Sequence, residues 1–555
     1  MPLSDLVQSL LAKRGVVDPD AVAAFLQPDY ASLHSPFLLE GIEAAVTRTL
    51  DAIAAGERIA VYADFDCDGI PGASLLSDVF AKIRYENVEV YIPHRDREGY
   101  GVHESAITAL AKRGVKLIIT VDVGTTAVAA VRYAKEQDVD VIVTDHHEIM
   151  SELPDAVAVL NPKLGSYPFR DLCGTGVAFK FAQALLTRGR ERGMQEFLSV
   201  SEGWEKWLLD LVAIATVADM VPLLGENRTL VHWGLSVLRK TPRVGITALC
   251  NEMRIRKSEI TEDEIGFSIA PRINAASRMD EPQLALSLLT TRDKNEAETL
   301  ARQLEKLNAS RKGVVAGIVK QAKKHMNERF RDDERVVVLG DPEWKPALLG
   351  LAANSLLGTR SGLVCLWGRD ANGKLKGSCR SDGSLSIVDV FTGASDCFEE
   401  FGGHAASGGF TLVSERVHTL QESLSAAAAA SERAPEKENV AHDALITLRE
   451  VSGNLLKDIS RLAPFGVGNK KPVFLIRNAV AVSAKAFGKE KNHVEVHLTC
   501  SESGMRARGF DFFRTVSDFT MVPEAGRATS VLATIERDTF RGGLALRLVD
   551  VLPGS

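Results

Sequence analysis

The stretch Val141-Ile142-Val143-Thr144-Asp145-His146-His147 decides the fold of this chain. Its first four residues form a short apolar run, which predicts a buried strand. Three polar side chains follow directly, where that strand ends. In open α/β sheets, ligands bind at the carboxyl ends of the strands. The stretch therefore favours a parallel sheet with functional residues along one edge.

Two upstream runs repeat this arrangement. Residues 58–62 and 117–121 are mostly apolar, and each run leads into acidic residues. These acidic residues are Asp64, Asp66 and Asp68 after the first run and Asp122 after the second. Three strand ends that carry carboxylates and imidazoles predict a metal-dependent active site at one edge of the sheet.

The segments around these runs alternate between strand and helix, which predicts a doubly wound parallel sheet. We expect helices over 72–83, 104–112 and 126–137, and strands over 88–93, 117–121 and 139–144. Further helical segments extend to about residue 238, including 177–186 and 204–217.

The rest of the chain predicts a second α/β lobe and a β domain. Residues 294–330 have apolar side chains at helical spacing and indicate one long helix that joins the two lobes. A strand at 335–340 opens the second α/β lobe, which ends near Val413, and a polar, Ala-rich linker follows. After about Ala441, short alternating runs between turns indicate a small β-barrel or sandwich.

Composition is that of a soluble globular protein, with 555 residues, 45% hydrophobic and 25% charged. The sequence contains no apolar run of about 18 residues, so we expect no membrane span. No secretory signal is visible. Seven scattered cysteines without a CxxC pair favour a reducing cytoplasm over a disulfide framework. The net charge of −7 does not itself suggest a nucleic-acid binder, although residues 441–555 hold 16 Lys and Arg against 12 Asp and Glu.

The acidic cluster after the first strand has the pattern of a metal site. Asp64, Asp66 and Asp68 share parity, so in extended geometry they project to one side, and Gly69 allows a turn into the next helix. A solvated turn or a helix N-cap is the alternative. Oxygen-rich sets with one or two imidazoles suit Mn²⁺ or Mg²⁺ better than Zn²⁺. Asp219 is either a helix C-terminal feature or a further ligand.

A second group of segments indicates phosphate binding, because Arg forks match phosphate oxygens and small residues let a backbone approach closely. Surface salt bridges and tight turns are the alternative reading of each segment. The segments are 94–101 with Arg95, 271–280 with Arg278, 376–381 with Ser378 and Arg380, and 402–409 with Gly402, Gly403 and His404.

Taken together, these motifs resemble the DHH phosphoesterase superfamily. The matching motifs are Asp-Phe-Asp-Cys-Asp-Gly at 64–69, Pro-His-Arg with Glu-Gly-Tyr-Gly at 93–101, Val-Asp-Val-Gly at 121–124, Thr-Asp-His-His at 144–147 and Thr-Val-Ala-Asp-Met-Val-Pro-Leu at 216–223. The later motifs, at 271–280, 376–381, 401–405 and 464–469, resemble specifically the RecJ single-strand-specific 5′→3′ exonucleases. The resemblance runs from about Val61 to Phe474.

The resemblance implies a DHH domain, a long helix, a DHHA1 domain and a C-terminal OB-fold. The expected bounds are an N-terminal helical segment at 1–50, the DHH domain at 51–290, the long helix at 291–330, the DHHA1 domain at 331–425, a linker at 426–440 and the OB-like domain at 441–555. It also implies single-stranded DNA as the substrate, action in DNA recombination and repair, a monomer, and a single-strand-binding protein and a helicase as partners. No membrane association is expected.

The resemblance also implies roles for single residues. Asp64, Asp66, Asp68, Asp122, His146 and Asp219 form or support a centre for two Mn²⁺ or Mg²⁺ ions, and Asp145 and His147 complete the motif. Asp122 is the expected bridging ligand. Arg278, Ser378, Arg380 and His404 lie near the scissile or 5′-terminal phosphate, with Arg95 as a weaker member. Asp122, His147, Arg278 and His404 carry the catalytic roles.

Three positions depart from the family pattern. Val123 stands where Asn is usual, Lys345 stands where His is usual, and Pro346 replaces part of a stretch that usually contains Gly. Lys345 and Pro346 place a substrate contact at that loop in doubt. Two alternative functions stay open: a DHH-type phosphodiesterase for short oligonucleotides or cyclic dinucleotides, and a non-catalytic replication scaffold. The retained acidic residues argue against the scaffold.

Overall fold

The computed structural model describes residues 3–149, 152–279, 281–331, 333–358, 360–431, 442–488, 491–538 and 541–554. These residues fall into two units. The larger unit contains Leu33–Val221 and Gly225–Glu436, and the barrel unit contains Met1–Ser32, Pro222–Leu224 and Lys437–Ser555. None of the described helices is long and apolar enough to span a bilayer.

The N-terminal helices are divided between these units. Helices α1 (Asp5–Lys13) and α2 (Pro19–Leu26) belong to the barrel unit, whereas α3 (Ile42–Ala55) belongs to the larger unit. We expected one helical segment over 1–50. The periodicity of these residues shows that they are helical, but not which core each helix joins.

The first sheet has five parallel strands in the order β2-β1-β3-β4-β5, as the alternating pattern predicts. Its central strands are buried on both faces, which explains their nearly continuous apolar sequence. The elements are β1 (Arg58–Ala63), α4 (Gly69–Lys82), β2 (Val88–Tyr91), α5 (Glu104–Lys112), β3 (Val115–Val121), α6 (Val128–Glu136), β4 (Asp140–Thr144) and β5 (Ala158–Leu160).

A helical region follows the first sheet. The segment expected over 204–217 is a 3₁₀ turn at Trp204–Leu208 that continues into a helix. A π-helical turn at Ile265–Ile269 leads directly into the helix that ends at Arg278. The helices are α7 (Gly174–Glu191), α8 (Gln195–Leu198), α9 (Leu209–Ala218), α10 (Gly225–Leu238), α11 (Val244–Glu252), α12 (Glu262–Glu264), α13 (Ala270–Arg278) and α14 (Pro282–Thr290).

One helix of 36 residues, α15 (Lys294–Arg329), leads to the second sheet, as the sequence predicts. Asp293 caps its N-terminus by accepting a hydrogen bond of 2.8 Å from the backbone of Glu296. The helix packs against α11, α13 and α14, which precede it in the chain. It also contacts the helix and the strand that follow it in the second lobe. It therefore ties the two α/β lobes into one unit.

The second sheet is mixed, with the order β6-β7-β8-β10-β9 and only β6 and β7 parallel. Helix α18 ends at Ala430, and residues 432–440 of the expected linker lie outside the described residues. The elements are β6 (Val336–Gly340), α16 (Pro346–Leu357), β7 (Leu363–Arg369), β8 (Leu375–Ser381), α17 (Ile387–Gly393), β9 (Phe398–Gly403), β10 (Ser407–Leu412) and α18 (Leu420–Ala430).

Two cysteines face each other across this second sheet. Cys365 of β7 pairs in register with Cys379 of β8, and a disulfide joins them. The scattered cysteines favoured a reducing cytoplasm over a disulfide framework, and their spacing did not indicate this pair. Strand register, rather than local spacing, brings these two residues together.

The C-terminal strands form a closed barrel. Strands β12, β13, β14, β16 and β15 pair in that order, and β15 pairs again with β12 to close the ring, which confirms the expected barrel. The elements are β11 (Ala444–Thr447), α19 (Gly453–Ser460), β12 (Phe474–Phe487), β13 (His493–Cys500), β14 (Arg506–Asp511), β15 (Ala528–Arg537) and β16 (Leu544–Pro553).

The core of the barrel unit is shared between its strands and the N-terminal helices. Val7, Leu10, Leu11 and Phe25 are buried in the same cluster as the inward side chains of the barrel, such as Phe474. Hydrogen bonds reinforce this packing, because Nε of Arg14 donates to Oδ1 of Asn469 at 2.9 Å. Burying several large apolar side chains stabilises such a unit by roughly 1.5–3 kcal/mol for each side chain.

Candidate metal centre and phosphate-binding residues

Three neighbouring strands place carboxylates at one edge of the first sheet. Asp64 follows β1, Asp122 follows β3 and Asp145 follows β4, and these strands are adjacent and parallel. Their carboxyl ends therefore meet at the same edge, where open α/β sheets bind ligands. All three aspartates are buried.

The loop after β1 folds back on itself. Oδ1 of Asp66 accepts hydrogen bonds from the backbone nitrogen atoms of Asp68, at 2.7 Å, and Gly69, at 3.1 Å. These bonds fix the start of α4. A side chain at Gly69 would clash with the backbone of Asp64, so the turn requires glycine. The acidic cluster is thus both a helix start and a set of ligand candidates.

Asp68 is held by a second helix. Its two carboxylate oxygens accept backbone hydrogen bonds from Gly174 at 2.6 Å and Thr175 at 2.7 Å, in the first turn of α7. A helix N-terminus stabilises a carboxylate through its free N–H groups and its dipole. The sequence motif did not reveal this contact, because α7 begins about a hundred residues later in the chain.

Asp122 has a left-handed backbone conformation, with φ of 61°. Aspartate is one of the few residues besides glycine that adopt this conformation, which is concentrated at functional sites. Gly174 lies directly behind Asp122, since a Cβ atom at Gly174 would lie 2.5 Å from Cβ of Asp122. The first residue of α7 is therefore part of the site that positions Asp122.

The imidazole of His146 lies among three carboxylates. Its Nε2 atom is 3.2 Å from Oδ1 of Asp122, 3.6 Å from Oδ2 of Asp219 and 3.8 Å from Oδ2 of Asp68. Asp219 directly follows α9. Because its carboxylate lies beside His146, the geometry agrees with the reading of Asp219 as a ligand. Burial lowers the pKa of His146, which favours the neutral, metal-binding form of the ring.

Asp145 and His147 contact each other directly through their side chains. Nδ1 of His147 lies 2.7 Å from Oδ1 of Asp145, whose second oxygen accepts a hydrogen bond of 2.8 Å from the backbone of Thr125. Burial alone would raise the pKa of Asp145, but these hydrogen bonds lower it to about 2. Burial likewise opposes the charge of His147, but Asp145 raises the pKa of His147 to about 9.

Four buried side-chain atoms at this edge have no hydrogen-bond partner among the described residues: Oδ1 of Asp64, Oδ1 of Asp122, Nε2 of His146 and Oδ2 of Asp219. Burial, followed by the neighbouring carboxylates, raises the pKa of Asp64 and Asp122, and it raises the pKa of Asp219 to about 8. Buried carboxylates without partners are costly unless a cation neutralises them. These residues fit a metal centre.

Three overlapping groups of side chains could each hold an ion, because one ligand atom from every member lies within 4.8 Å of the others. The groups are Asp122, His146 and His147; Asp68, His146 and Asp219; and Asp64, Asp66 and Asp122. Asp145 belongs to none of these groups, and its oxygens already accept hydrogen bonds. The geometry assigns Asp145 to the positioning of His147, and its predicted role as a ligand stays a prediction.

Arg278 lies beside the carboxylate set. Its Nη1 atom donates to the carbonyl of Ala347 at 2.7 Å, which links α13 to α16. Burial, and then the positive charges of Arg95 and Arg311, lower its pKa to about 9. None of the described carboxylates forms an ion pair with it. Arg278 is therefore a charged group that is available to an anion.

Other predicted phosphate ligands lie near Arg278. Arg95 stacks on the ring of Phe65 at 4.7 Å, which fixes its guanidinium next to the acidic loop. Ser378 and Arg380 lie on the same face of β8, two residues apart. Burial lowers the pKa of Arg380. The positive charge of Arg380 contributes to the lowered pKa of Arg278, so the two guanidinium groups lie near each other. The structure thus brings these residues together.

The glycine-rich turn is more exposed than the arginines. Gly402, Gly403 and His404 are exposed at the end of β9, and Gly403 has a φ of 142°. A side chain at Gly403 would clash with the backbone of Ser407, so the tight turn itself requires this glycine. The backbone N–H of His404 donates to the carbonyl of Ser407 at 2.7 Å. The catalytic role of His404 stays a prediction.

The three departures from the family pattern have structural roles. Val123 is buried in the core of the first lobe. Nζ of Lys345 lies 3.3 Å from Oδ2 of Asp96, so this residue joins the second lobe to the loop after β2. Pro346 is the first residue of α16, a position that proline favours.

Tyr100 was missed as a single residue, although its motif was noted. Its hydroxyl lies 3.2 Å from Nδ1 of His147. Asn274 was also missed, and its Oδ1 accepts a hydrogen bond of 3.0 Å from the backbone of Cys67 in the acidic loop. The Tyr beside two glycines and the Asn within the 271–280 motif were the available signals.

The barrel exposes a group of aromatic side chains. Phe512 and Phe513 follow β14, are 41% and 78% exposed, and pack edge-to-face on His493 at 5.2 Å and 5.0 Å. Arg547 lies 4.5 Å above Phe512. Exposed aromatic rings beside arginines are typical of surfaces on which bases of single strands stack.

Three regions of the chain match known protein domains. Residues 58–216 match the DHH family N-terminal domain, residues 333–430 match the DHHA1 domain, and residues 442–549 match the RecJ OB domain. Among curated proteins, the chain is 35% identical over 516 residues to the single-stranded-DNA-specific exonuclease RecJ of Bacillus subtilis (strain 168), covering 92% of this chain and 63% of that protein.

Further relatives define the family. The chain is 30% identical over 530 residues to the exonuclease RecJ of Haemophilus influenzae, covering 93% of this chain and 91% of that protein. A crystal structure of RecJ from Thermus thermophilus in complex with Mn²⁺ superposes with a TM-score of 0.76 at 27% identity, covering 100% of this chain and 79% of that one. The chain belongs to the RecJ family of DHH proteins.

Proposed function

We propose that this chain is a metal-dependent exonuclease that removes nucleotides from the 5′ end of single-stranded DNA in recombination and repair. The observation that carries this proposal is the group of four buried, unpartnered ligand atoms on Asp64, Asp122, His146 and Asp219, next to Arg278. Relatives of the same family are named for single-stranded-DNA-specific exonuclease activity, which supports the choice of substrate. The 5′→3′ polarity rests on the motifs shared with that family.

The proposed cofactors are two divalent ions, Mn²⁺ or Mg²⁺. Solved structures of RecJ relatives are described as complexes with each of these ions. The ligand groups that share His146 and Asp122 would hold them. When bound, such ions neutralise the carboxylates and lower the pKa of a water molecule enough for it to attack phosphorus near neutral pH.

The protein groups supply orientation and charge. Asp145 holds His147 through Nδ1, which fixes the ring against Tyr100 and the metal centre. Arg278 has no carboxylate partner among the described residues and would neutralise charge that develops on the phosphate. Arg95, Ser378 and Arg380 would bind the remaining oxygens. Asp122, His147, Arg278 and His404 remain our catalytic candidates.

Contacts between the two α/β lobes support selection of single strands. Lys345 meets Asp96 at 3.3 Å, and Nδ2 of Asn372 donates to the carbonyl of Arg97 at 3.1 Å. Both contacts join the second lobe to the loop after β2, and we propose that the joined lobes narrow the cleft beside the carboxylates. We propose that this enclosure admits one strand, while the OB-like barrel grips another part of it through stacking and charge.

The test is digestion of a 3′-labelled, 5′-phosphorylated single strand with Mn²⁺, Mg²⁺ or EDTA. We expect metal-dependent loss from the 5′ end of this strand, and no loss from a blunt duplex or a 5′-blocked strand. Asp122→Ala should abolish turnover, whereas Asp155→Ala, which removes an exposed carboxylate from the same lobe, should not. Preferential cleavage of dinucleotides, or full activity of Asp122→Ala, would overturn the proposal.

We further propose that the protein is a cytoplasmic monomer with the domain bounds predicted from the sequence. We also propose that it works with a single-strand-binding protein and a helicase. A nuclease that encloses its own strand needs no second copy, which supports the monomer. Sedimentation of the purified chain tests the oligomeric state, and pull-down with a purified single-strand-binding protein or a helicase tests each partner.

A further inference from the structure

The long helix α15 carries a guanidinium without a described partner. Arg311 is partly buried, and its Nε atom is shielded from solvent and has no hydrogen-bond partner among the described residues. The ion pairs of the described side chains do not include it. Burial and the positive charge of Arg272 lower the pKa of Arg311. Such a group is stabilised by an anion rather than by its present surroundings.

A second polar side chain on the same helix face also lacks partners. Asn308 lies one turn before Arg311, so the two residues are neighbours on the helix surface. Asn308 is fully buried, and neither its Oδ1 nor its Nδ2 has a hydrogen-bond partner in the part of the chain that the structure describes. Buried polar groups are nearly always hydrogen-bonded. Two adjacent exceptions point to a polar ligand at this face.

This helix face lies close to the proposed active site. Helix α15 packs against α13, which ends at Arg278, and the charge of Arg311 lowers the pKa of Arg278. Lys312, on the exposed side of the helix, continues the positive surface, since partial burial and the charges of Arg272 and Arg311 lower its pKa. The balancing carboxylate is Glu305, which pairs with Arg272 at 2.7 Å. Arg311 and Lys312 therefore extend the positive surface that begins at Arg278.

We propose that Arg311 and Lys312 form a second phosphate-binding site, which holds a backbone phosphate of the single strand next to the phosphate at Arg278. The identity of the ligand rests on the proposed function. A phosphodiester suits the site because its two free oxygens match the guanidinium fork and its charge repeats along the strand. The site positions the strand and takes no part in bond cleavage.

The test is binding of a 3′-fluorescein-labelled, 5′-phosphorylated oligothymidylate to the full chain in EDTA, followed by fluorescence anisotropy over a series of salt concentrations. Arg311→Gln should raise Kd by about tenfold, because a hydrogen-bonded charge contact is lost. The slope of log K against log salt should become shallower by about 0.7, which is the value for one phosphate contact to a single strand. Lys312→Gln, at an exposed position with little risk to folding, should also reduce the slope.

The matched control is Arg302→Gln, which makes the same charge change on an exposed arginine of the same helix. It should leave Kd and the slope unchanged. Wild-type binding by folded Arg311→Gln and Lys312→Gln, or an equal loss in Arg302→Gln, would overturn the site. If wild type binds the strand but does not degrade it when Mn²⁺ is added, the proposed exonuclease function fails while this inference stands. If wild type degrades the strand and both variants bind normally, only this inference fails.

Discussion

His147 is held in place by Asp145, through a contact of 2.7 Å between Nδ1 and Oδ1. The same oxygen accepts the backbone N–H of His146 at 2.8 Å, and the other oxygen accepts the backbone N–H of Thr125. The pKa of Asp145 is about 2, so its carboxylate is ionised at neutral pH, and the charge of this carboxylate raises the pKa of His147. Asp145 therefore acts on the centre by orienting His147 and the loop that carries both histidines.

Asp145→Asn should weaken Mn²⁺ binding and turnover by about 10–100-fold, the usual effect of losing a residue that orients a metal ligand. The amide keeps the shape of the carboxylate but loses its charge, so His147 is no longer fixed in one orientation. A Mn²⁺ titration of nuclease activity gives the half-saturating concentration and the maximal rate. Asp155→Asn is the control, because it removes a surface carboxylate. Wild-type values for Asp145→Asn would refute the positioning role.

Gly174→Ala should inactivate the protein and destabilise it by about 1–3 kcal/mol, because its Cβ would lie 2.5 Å from Cβ of Asp122. The control is Gly176→Ala in the same turn of α7, where a Cβ would make only ordinary contacts of 3.5 Å or more. Urea unfolding and nuclease assays compare the two variants. Equal stability and activity for both would mean that Asp122 does not depend on close packing against α7.

Mn²⁺ should raise the melting temperature of wild type, since ions that bind only the folded state stabilise it by about 2.7 kcal/mol at 100 times Kd. Asp122→Asn should melt higher than wild type in EDTA, because it removes one buried, repelled carboxylate. The same variant should gain little from Mn²⁺. Thermal melts with and without Mn²⁺ measure both effects. A variant that melts lower in EDTA, or that gains as much from Mn²⁺, would contradict this picture.

Lys180 and Glu226 form a buried ion pair of 2.7 Å in the larger unit. Lys180→Met should destabilise the protein by about 3–5 kcal/mol, because it leaves the carboxylate of Glu226 buried without its cation. The double variant Lys180→Met with Glu226→Leu should recover part of this loss. Urea unfolding of the two single variants and the double variant forms a double-mutant cycle. A loss that is additive across the cycle would show that the pair is not coupled.

Phe513→Ala should weaken binding of single-stranded DNA by about 1–3 kcal/mol, the range for one stacked base. The ring is 78% exposed, so its removal should leave the melting temperature unchanged. Leu445→Ala is the control, because Leu445 is another exposed apolar residue of the barrel unit. Fluorescence anisotropy in EDTA compares the affinities. If both variants bind like wild type, the aromatic surface does not stack bases.

The edge of the first sheet was predictable because its signals are local. Each of Asp64, Asp122 and Asp145 directly follows an apolar run, and parallel pairing brings those ends together. The separate roles of the aspartates were not predictable. Asp68 accepts hydrogen bonds from α7, and both oxygens of Asp145 are occupied by hydrogen bonds. These contacts depend on tertiary structure and cannot be read from neighbouring residues in the sequence.

Long-range packing limited the prediction elsewhere. The pairing of Cys365 with Cys379 depends on strand register. The sharing of one core by Leu10 and Phe474 depends on tertiary packing between residues far apart in sequence. Arg311 was not singled out, because in sequence it is one of many charged residues on a long amphipathic helix. Only burial without a partner distinguishes it from the others.

Arg14 and Asn469, which are hydrogen-bonded in the barrel unit, are separated by 455 residues. During translation at about 5–20 residues per second, the first of these residues waits roughly 20–90 s for the second. Throughout that interval α1 and α2 have an apolar face with no barrel to cover it, while the larger unit can already fold. The barrel unit is therefore completed after the larger unit during synthesis, and a chain that stalls before the barrel strands would expose these helices to chaperones and proteases.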